Sequence, residues 1–333
     1  MEGLAFQVTA LPLKQVDVGR TGVEVTSLIL GCSSIGGLFA PVSEHQAQAV
    51  LESAWSAGVR AFDTAPHYGV GLSEERIGRF LASHPDVSVT ISSKIGRLLV
   101  ATDEDVEGVD GFYGTPRRRR IRDYSSDGAR RSVEESCQRL GRSGLDIALI
   151  HDPEGNERQA LDEAYPALVD LKAEGFVGAV GVGTTSSSVA TWFVQRAELD
   201  CVLIAGEYSL LGTPAAVTLF PACRERGVTV LAAGVYKSGV LAAPHEGAHL
   251  DYAPASAAVL ARVRAIESVC TRWGVPLPAV ALQFVAAHPA VGALVVGAAT
   301  ADEATRNVSY LSLEIPEGLF EELAHRGLLP AEC

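Results

Sequence analysis

Short runs rich in Val, Ile, Leu and Ala recur along the chain: LILGCSS from Leu28, VRAFDTA from Val59, VTISSKIG from Val89, IALIHDP from Ile147, AVGVGTT from Ala179, CVLIAGE from Cys201, VTVLAAGV from Val228 and ALVVGAAT from Ala293. They are too continuous for strands with one wet face, and a run apolar on both faces is what a parallel strand covered by helices requires. Between them apolar residues return with helical period in SEHQAQAVLESAWSAG, SEERIGRFLASH, DGARRSVEESCQRLG, QALDEAYPALVDLKAEG and PAAVTLFPACRERG. Several of these segments open on a Ser or Asp cap and close on Gly. This alternation predicts an α/β fold, a single (β/α)8 TIM barrel over residues 1–333. An open doubly wound sheet would need a reversal of strand order that nothing in the sequence marks. The longest irregular stretch, at about 97–125, follows the third strand, where the loops of a barrel shape its site. A surface insertion without order is the competing reading of that stretch.

Composition narrows the partners. A formal net charge of −13 over 333 residues argues against nucleic acid and anionic membrane, because phosphate contact needs a basic face. A small-molecule substrate is expected instead. The one dense basic run, Arg117 to Arg120, reads as a solvated loop. The cysteines (Cys32, Cys137, Cys201, Cys223, Cys270, Cys333) form no CxxC pair and read as buried thiols. His245 and His249 stand four apart, but PHEGAH reads as loop, and no metal is expected. The start, MEGLAFQVTALPLKQVDVGR, lacks the pattern of a secretory leader, and no apolar run reaches membrane-spanning length, so a cytoplasmic protein is expected.

Polar residues at the strand ends carry the chemistry. In a barrel the C-terminal strand ends share one face. Asp63 ends the second run, Lys94 the third and His151 the fourth, and Tyr68 lies five residues beyond Asp63. Taken singly, each has an ordinary structural explanation: a turn cap, a snorkelling lysine, a satisfied core histidine. Together they describe a proton-handling site. A tyrosine with its usual pKa of about 10 exchanges protons poorly at neutral pH, and a neighbouring ammonium stabilises the tyrosinate. Lys94 would supply that charge, Asp63 would orient it, and His151 could hydrogen-bond a carbonyl or carbinol oxygen.

FDTAPHYGVGLSEERIGRFL, with SSKIG, LIHDP and VGAATADEATRN, resembles the aldo-keto reductase superfamily, and the resemblance runs from GRTGVEVTSLILGC to the last barrel helix. It implies that Asp63, Tyr68, Lys94 and His151 are a catalytic tetrad, with Tyr68 as general acid or base during hydride transfer to or from a nicotinamide. The motif GxGxxG does not open a βαβ unit here, so a dinucleotide-fold manner of binding is not expected. The family instead implies a cofactor extended across the barrel mouth. Its pyrophosphate would lie under GVYKSGVL (Gly234, Val235, Tyr236, Ser238, Gly239) and its adenosine near the last segment (Gly297, Thr300, Glu303, Asn307).

The lysine and arginine that grip a 2′-phosphate in NADPH-preferring members align with Gly297 and Glu303, so NAD is expected over NADP, with Arg306 as the nearest cation one turn further on. A carboxylate there repels a 2′-phosphate and can accept from a free ribose hydroxyl. The Ser-Asn pair that holds the carboxamide aligns with Gly183 and Thr184, the usual glutamine with Ala205, and the stacking aromatic with Ala233, near Tyr236. These departures, with LxAGxYxLL and GVYxSGxL, resemble a branch of NAD-dependent dehydrogenases that oxidise L-fucose, D-threo-aldoses or L-galactose at C1 to lactones, a branch that also includes pyridoxal dehydrogenases forming a lactone. Substrate contacts are expected from His67, Phe112, Tyr113 and the 97–125 loop, with Trp55 ranked last because SAWSAG sits mid-helix. A third reading keeps the barrel and makes it a non-catalytic nicotinamide sensor that docks on a partner.

Overall fold

The structure, a computed structural model, describes residues 13–251 and 253–330. Most of the stretch read for a leader, residues 1–12, lies outside the described residues, as does Cys333. The apolar runs become eight strands: β1 (Leu28–Gly31), β2 (Ala61–Asp63), β3 (Thr90–Ile95), β4 (Leu145–His151), β5 (Val177–Thr184), β6 (Cys201–Ala205), β7 (Thr229–Ala233) and β8 (Val291–Gly297). They pair in parallel in sequence order, and β8 returns to β1 to close the barrel. Outside run α1 (Glu44–Ser56), α2 (Leu72–Ser83), α3 (Ser126–Leu140), α4 (Tyr165–Ala173), α5 (Ser187–Val194), α6 (Leu219–Arg226), α7 (Ala257–Arg272), α8 (Leu277–Ala286), α9 (Ala301–Ser312) and α10 (Glu317–His325).

Caps fix the helix ends where the sequence puts them. Ser43 and Gln46 form a reciprocal capping box at α1, and Ser125 accepts from the Gly128 N–H at α3. Two predicted helices are interrupted. PAAVTLFPACRERG breaks at Thr218 into Pro214–Val217 and α6, and a π-helical turn, Ala160–Ala164, leads into α4 where Pro166 withholds an N–H.

Period-two alternation along each strand sorts its side chains. Ile29, Ala61, Ile147, Leu149, Ala179, Leu203, Leu231 and Val295 meet inside the barrel, while Leu30, Phe62, Ile91, Ile150 and Val182 pack outward under the helices. An antiparallel pair, Gln15–Asp17 with Glu24–Thr26, closes the bottom and adds Val18 and Val25 to the inner layer.

The stretch expected as a loop at 97–125 contains an antiparallel hairpin, Arg97–Ala101 with Arg118–Arg122, docked over the mouth. Phe39 N–H donates to Gly111 O at 2.8 Å and Tyr113 N–H to Gly37 O at 3.0 Å, tying the hairpin tip to the loop after β1. Described cysteines Cys32, Cys137, Cys201, Cys223 and Cys270 are all unpaired and buried. Burial pushes the Cys223 thiol up to about 12 and that of Cys270 to about 11.

Candidate active site

The same alternation that sends Ala61 and Leu149 inward sends Asp63 and His151, two residues further on, inward at the top. Lys94 is in register with Leu149 across the β3–β4 pair. Its Nζ lies 2.7 Å from Asp63 Oδ2, 2.9 Å from Thr64 O and 4.5 Å from the centre of the Tyr68 ring. Burial alone would disfavour the ammonium, but Asp63 and Tyr68 outweigh it and hold Lys94 above its ordinary pKa. The lysine therefore stays charged while 1% exposed.

Tyr68 is placed by the turn that follows β2. Gly69 adopts φ +61°, and a Cβ there would stand 2.2 Å from Gly36 O, so the tyrosine loop can lie against the loop after β1 with glycine alone. Phe112, from the hairpin and 2% exposed, stacks on Tyr68 at 6.3 Å between centroids and meets His67 edge-on at 5.4 Å. His151 meets Tyr68 edge-on at 5.9 Å and His67 at 5.6 Å.

Arg120 corrects the reading of the basic run as a solvated loop. Its guanidinium donates to His67 O at 2.8 Å, pairs with Asp110 at 3.1 Å and lies over Phe112. Arg118 donates to Val70 O and pairs with Glu75 at 2.6 Å. Charges that looked like surface thus clamp the His67–Val70 segment from above.

Both histidines are uncharged. Burial first, then Arg97, Arg120, Lys94 and Arg122, bring His67 down to about 2, and burial with Arg97, Lys94 and His67 holds His151 well below the usual histidine range. Behind His151, Tyr124 Oη donates to His151 O and Asp152 O, each at 2.7 Å. Gly96, at φ +101°, lets that ring in: a Cβ would stand 2.3 Å from Tyr124 Cε1. Arg97 follows directly, with Nη2 2.9 Å from Asp152 Oδ2. Nothing in the sequence singled out Arg97 or Tyr124, because the signal, an arginine one residue past a strand-end glycine, says nothing of burial.

From Asp63 and Tyr68 a cleft of about 890 Å³ runs across the mouth. Of the residues expected to hold a cofactor, Gly234, Val235, Tyr236, Ser238, Gly239, Gly297, Glu303 and Asn307 line it, and the small side chains of Ala205 and Ala233 do so too. Gly183, Thr184 and Thr300 do not. Gly183 faces Leu149 and Lys94 inside the barrel. Thr184 points outward, donating to Glu154 and accepting from Ser186 N–H at 3.0 Å, and Thr185 lines the cleft in its place. Thr300 caps α9 through the Glu303 N–H.

Tyr236 is held in the cleft wall by its hydroxyl, which donates to Asn307 Oδ1 at 2.8 Å, and Asn307 donates on to Gly297 O at 3.2 Å. Left-handed backbone at Gly234, Lys237, Ser238 and Gly239 curls the loop after β7 along the cleft. A cleft of this volume, lined from the phenol of Tyr68 to Glu303 and Asn307 on α9, has room for a nicotinamide dinucleotide.

Among the substrate-side candidates, His67 and Phe112 adjoin Tyr68. Tyr113 turns instead toward Gly108 in the hairpin, and Trp55, under the Arg60 guanidinium, is at the opposite end of the barrel. His245 and His249 line the cleft, and among the described residues no group of three or more His, Cys, Asp or Glu could hold a metal ion.

A closed parallel barrel with a carboxylate, an ammonium, a phenol and an uncharged imidazole gathered at its mouth is the build of an oxidoreductase acting on CH–OH groups with a nicotinamide cofactor. Comparison agrees: the chain belongs to the aldo/keto reductase family, whose model matches residues 27–325. It is similar to D-threo-aldose 1-dehydrogenase from a Pseudomonas species, 40% identical over 316 residues that cover 93% of this chain and 96% of that protein. It is also similar to pyridoxal 4-dehydrogenase from Microbacterium luteolum, 35% identical over 334 residues covering 94% and 97%. Among solved structures, the aldo-keto reductase AKR11C1 from Bacillus halodurans in its holo form shares the fold, with a TM-score of 0.75 at 22% identity, covering 95% of this chain and 96% of that one.

Proposed function

We propose that the protein oxidises the C1 hydroxyl of a cyclic sugar of the L-fucose, D-threo-aldose or L-galactose type to a lactone, using NAD, with Tyr68 as the base. The observation that carries this reading is the position of Lys94, locked between Asp63 and the Tyr68 ring. An ammonium held there favours phenolate over phenol, so Tyr68 can take the proton of the sugar hydroxyl. When bound, the nicotinamide accepts the hydride that leaves C1. The O–H bond gives its proton to Tyr68, the C1–O bond becomes a carbonyl, and the two electrons of the C1–H bond leave with the hydride. His151, uncharged, donates a hydrogen bond to the same oxygen without adding a second positive charge beside Lys94.

The 40% identity to a D-threo-aldose 1-dehydrogenase supports the sugar. NAD is supported by the cleft's far end. Arg306 is already engaged by Asp302 at 2.6 Å, and Glu303 accepts from Ala299 N–H at 2.8 Å, which leaves a carboxylate where a 2′-phosphate would need a cation. A second reading, oxidation of the pyridoxal hemiacetal to its lactone, is supported by the 35% relative.

Initial rates with NAD and with NADP, across L-fucose, L-galactose, D-arabinose and pyridoxal at alkaline pH, test these readings. Turnover of a sugar with NAD, abolished in Tyr68→Phe, is the expected result. Turnover of pyridoxal alone would replace the sugar. Equal, negligible rates in both proteins would favour a nicotinamide-binding module.

A further inference from the structure

Arg97 is 9% exposed and is engaged at one end alone. Its Nη2 holds Asp152 Oδ2 at 2.9 Å, while Nη1 is buried with no hydrogen-bond partner among the described residues. A buried guanidinium is costly to desolvate, and packing alone does not call for one. What it holds is informative: the same Asp152 oxygen lies 3.5 Å from His151 Nε2, beyond a normal hydrogen bond but close enough to form one after a small rotation. Asp152 itself sits at φ +40°, a backbone region sparsely used by residues other than glycine, and its carbonyl and that of His151 are tied to Tyr124. Backbone and guanidinium together therefore set where this carboxylate points.

We propose that Arg97 is a positioning residue, which holds the Asp152 carboxylate off His151 so that the imidazole keeps its ring N–H for the substrate oxygen. The part played toward substrate rests on the reading of the site given above; the restraint on Asp152 does not. The charged and titratable groups around His151 are Lys94 from β3 with Asp63 from β2 upon it, His67 and Tyr68 from the loop after β2, Arg97 from the hairpin, and Asp152 beside it. Tyr124 reaches the backbone carbonyls alone, and Arg120 and Arg122 act through His67. Among the described residues, Asp152 is the nearby anion within reach of the ring that is not already held by Lys94. Released, it would accept the Nε2 proton and stabilise the imidazolium.

The test is ring nitrogen-15 NMR of the histidines between pH 5 and 9, with steady-state kinetics, on the full chain as wild type, Arg97→Met, Arg97→Lys and Arg97→Met with Asp152→Asn. In the wild type and in Arg97→Lys, His151 is expected neutral throughout. In Arg97→Met it is expected to titrate between pH 5 and 8, kcat to fall tenfold or more with KM changed less than threefold, and the pH profile of kcat to gain that ionisation. Adding Asp152→Asn is expected to remove it.

A folded Arg97→Met with unchanged His151 signals and an unchanged profile overturns the proposal, and so does a loss confined to KM. Should Arg97→Met not fold, the wild type and Arg97→Lys decide, since a His151 that titrates between pH 5 and 8 in either one overturns it. The spectra need no substrate, so if no alcohol turns over in the wild type, the proposed reaction fails while the restraint on Asp152 is judged by NMR.

Discussion

Lys94 and Asp63 form an ion pair at 2.7 Å with 1% and 3% of their side chains exposed, and the Tyr68 ring covers the same ammonium. A pair so buried is tied to its partner in stability as well as in chemistry. Removing the lysine alone strands a carboxylate in the core, which typically costs about 3–5 kcal/mol, whereas replacing both charges costs far less. Lys94→Met is therefore expected to destabilise the fold by that amount in urea titrations. Lys94→Met with Asp63→Asn should recover most of the loss while remaining as inactive, with kcat down by about 10²–10⁴. Equal stability of single and double variants would show that the pair is not coupled.

Cofactor choice should turn on α9. Glu303→Gln removes the negative charge that, on the proposed reading, would face a 2′-phosphate, and Asp302→Asn releases Arg306 from its 2.6 Å partner. Together they are expected to move the ratio of kcat/KM for NAD over NADP toward NADP by about tenfold to a hundredfold, about 1.4–2.8 kcal/mol. An unchanged ratio would mean that the nucleotide's ribose lies elsewhere.

Tyr124 braces the histidine from behind. Burial pushes its hydroxyl up to about 12, so it remains a donor across the working range and serves two carbonyls at once. Tyr124→Phe leaves both without that partner and is expected to cost about 2 kcal/mol, at the usual 0.5–1.5 per hydrogen bond. Gly96→Ala should cost at least as much, since its Cβ meets the same ring at 2.3 Å and its φ of +101° disfavours any side chain. Thermal unfolding of the two variants separately and together checks the shared cause: the effects should be less than additive.

Acid should unfold this protein early. The histidine at position 67 has a folded-state pKa of about 2 against 6.5 for its ordinary value. Between those values the unfolded chain binds a proton that the native chain refuses, so stability falls as pH drops from 6.5, by up to about 1.4 kcal/mol per pH unit for this group. His151 adds to the slope in the same direction. In His67→Phe the fall in stability between pH 6 and 4 is expected to be shallower by up to that amount per unit, measured by urea midpoints at each pH. A slope identical to the wild type would mean that His67 is protonated in the native state.

How far the sequence reaches can be judged from particular residues. Their positions at the ends of parallel strands placed Asp63, Lys94 and His151 on one face without any knowledge of their neighbours, because a strand end is a local property. Thr184, placed in the cofactor site by the family resemblance, is different, since one residue of register decides whether a side chain enters the cleft or turns outward to Glu154. Arg118 and Arg120 were misread because burial depends on where a hairpin docks, and RRRR carries no sign of the His67 and Val70 carbonyls that await it. Arg97 and Tyr124 stayed invisible for the same reason. Their roles exist in the contact between a strand end and a distant loop.

The buried thiols give the folded chain a built-in clock. Cys32, Cys137, Cys201, Cys223 and Cys270 lie under different helices or inside the barrel, and burial keeps those thiols in the unreactive protonated form. Alkylation at each can proceed as fast as its own part of the wall opens, so mass spectrometry of labelled peptides over time would time the breathing of the barrel sector by sector. Cys201 on β6, facing the inner layer, should be the last to react, marking the moment when the barrel itself comes apart.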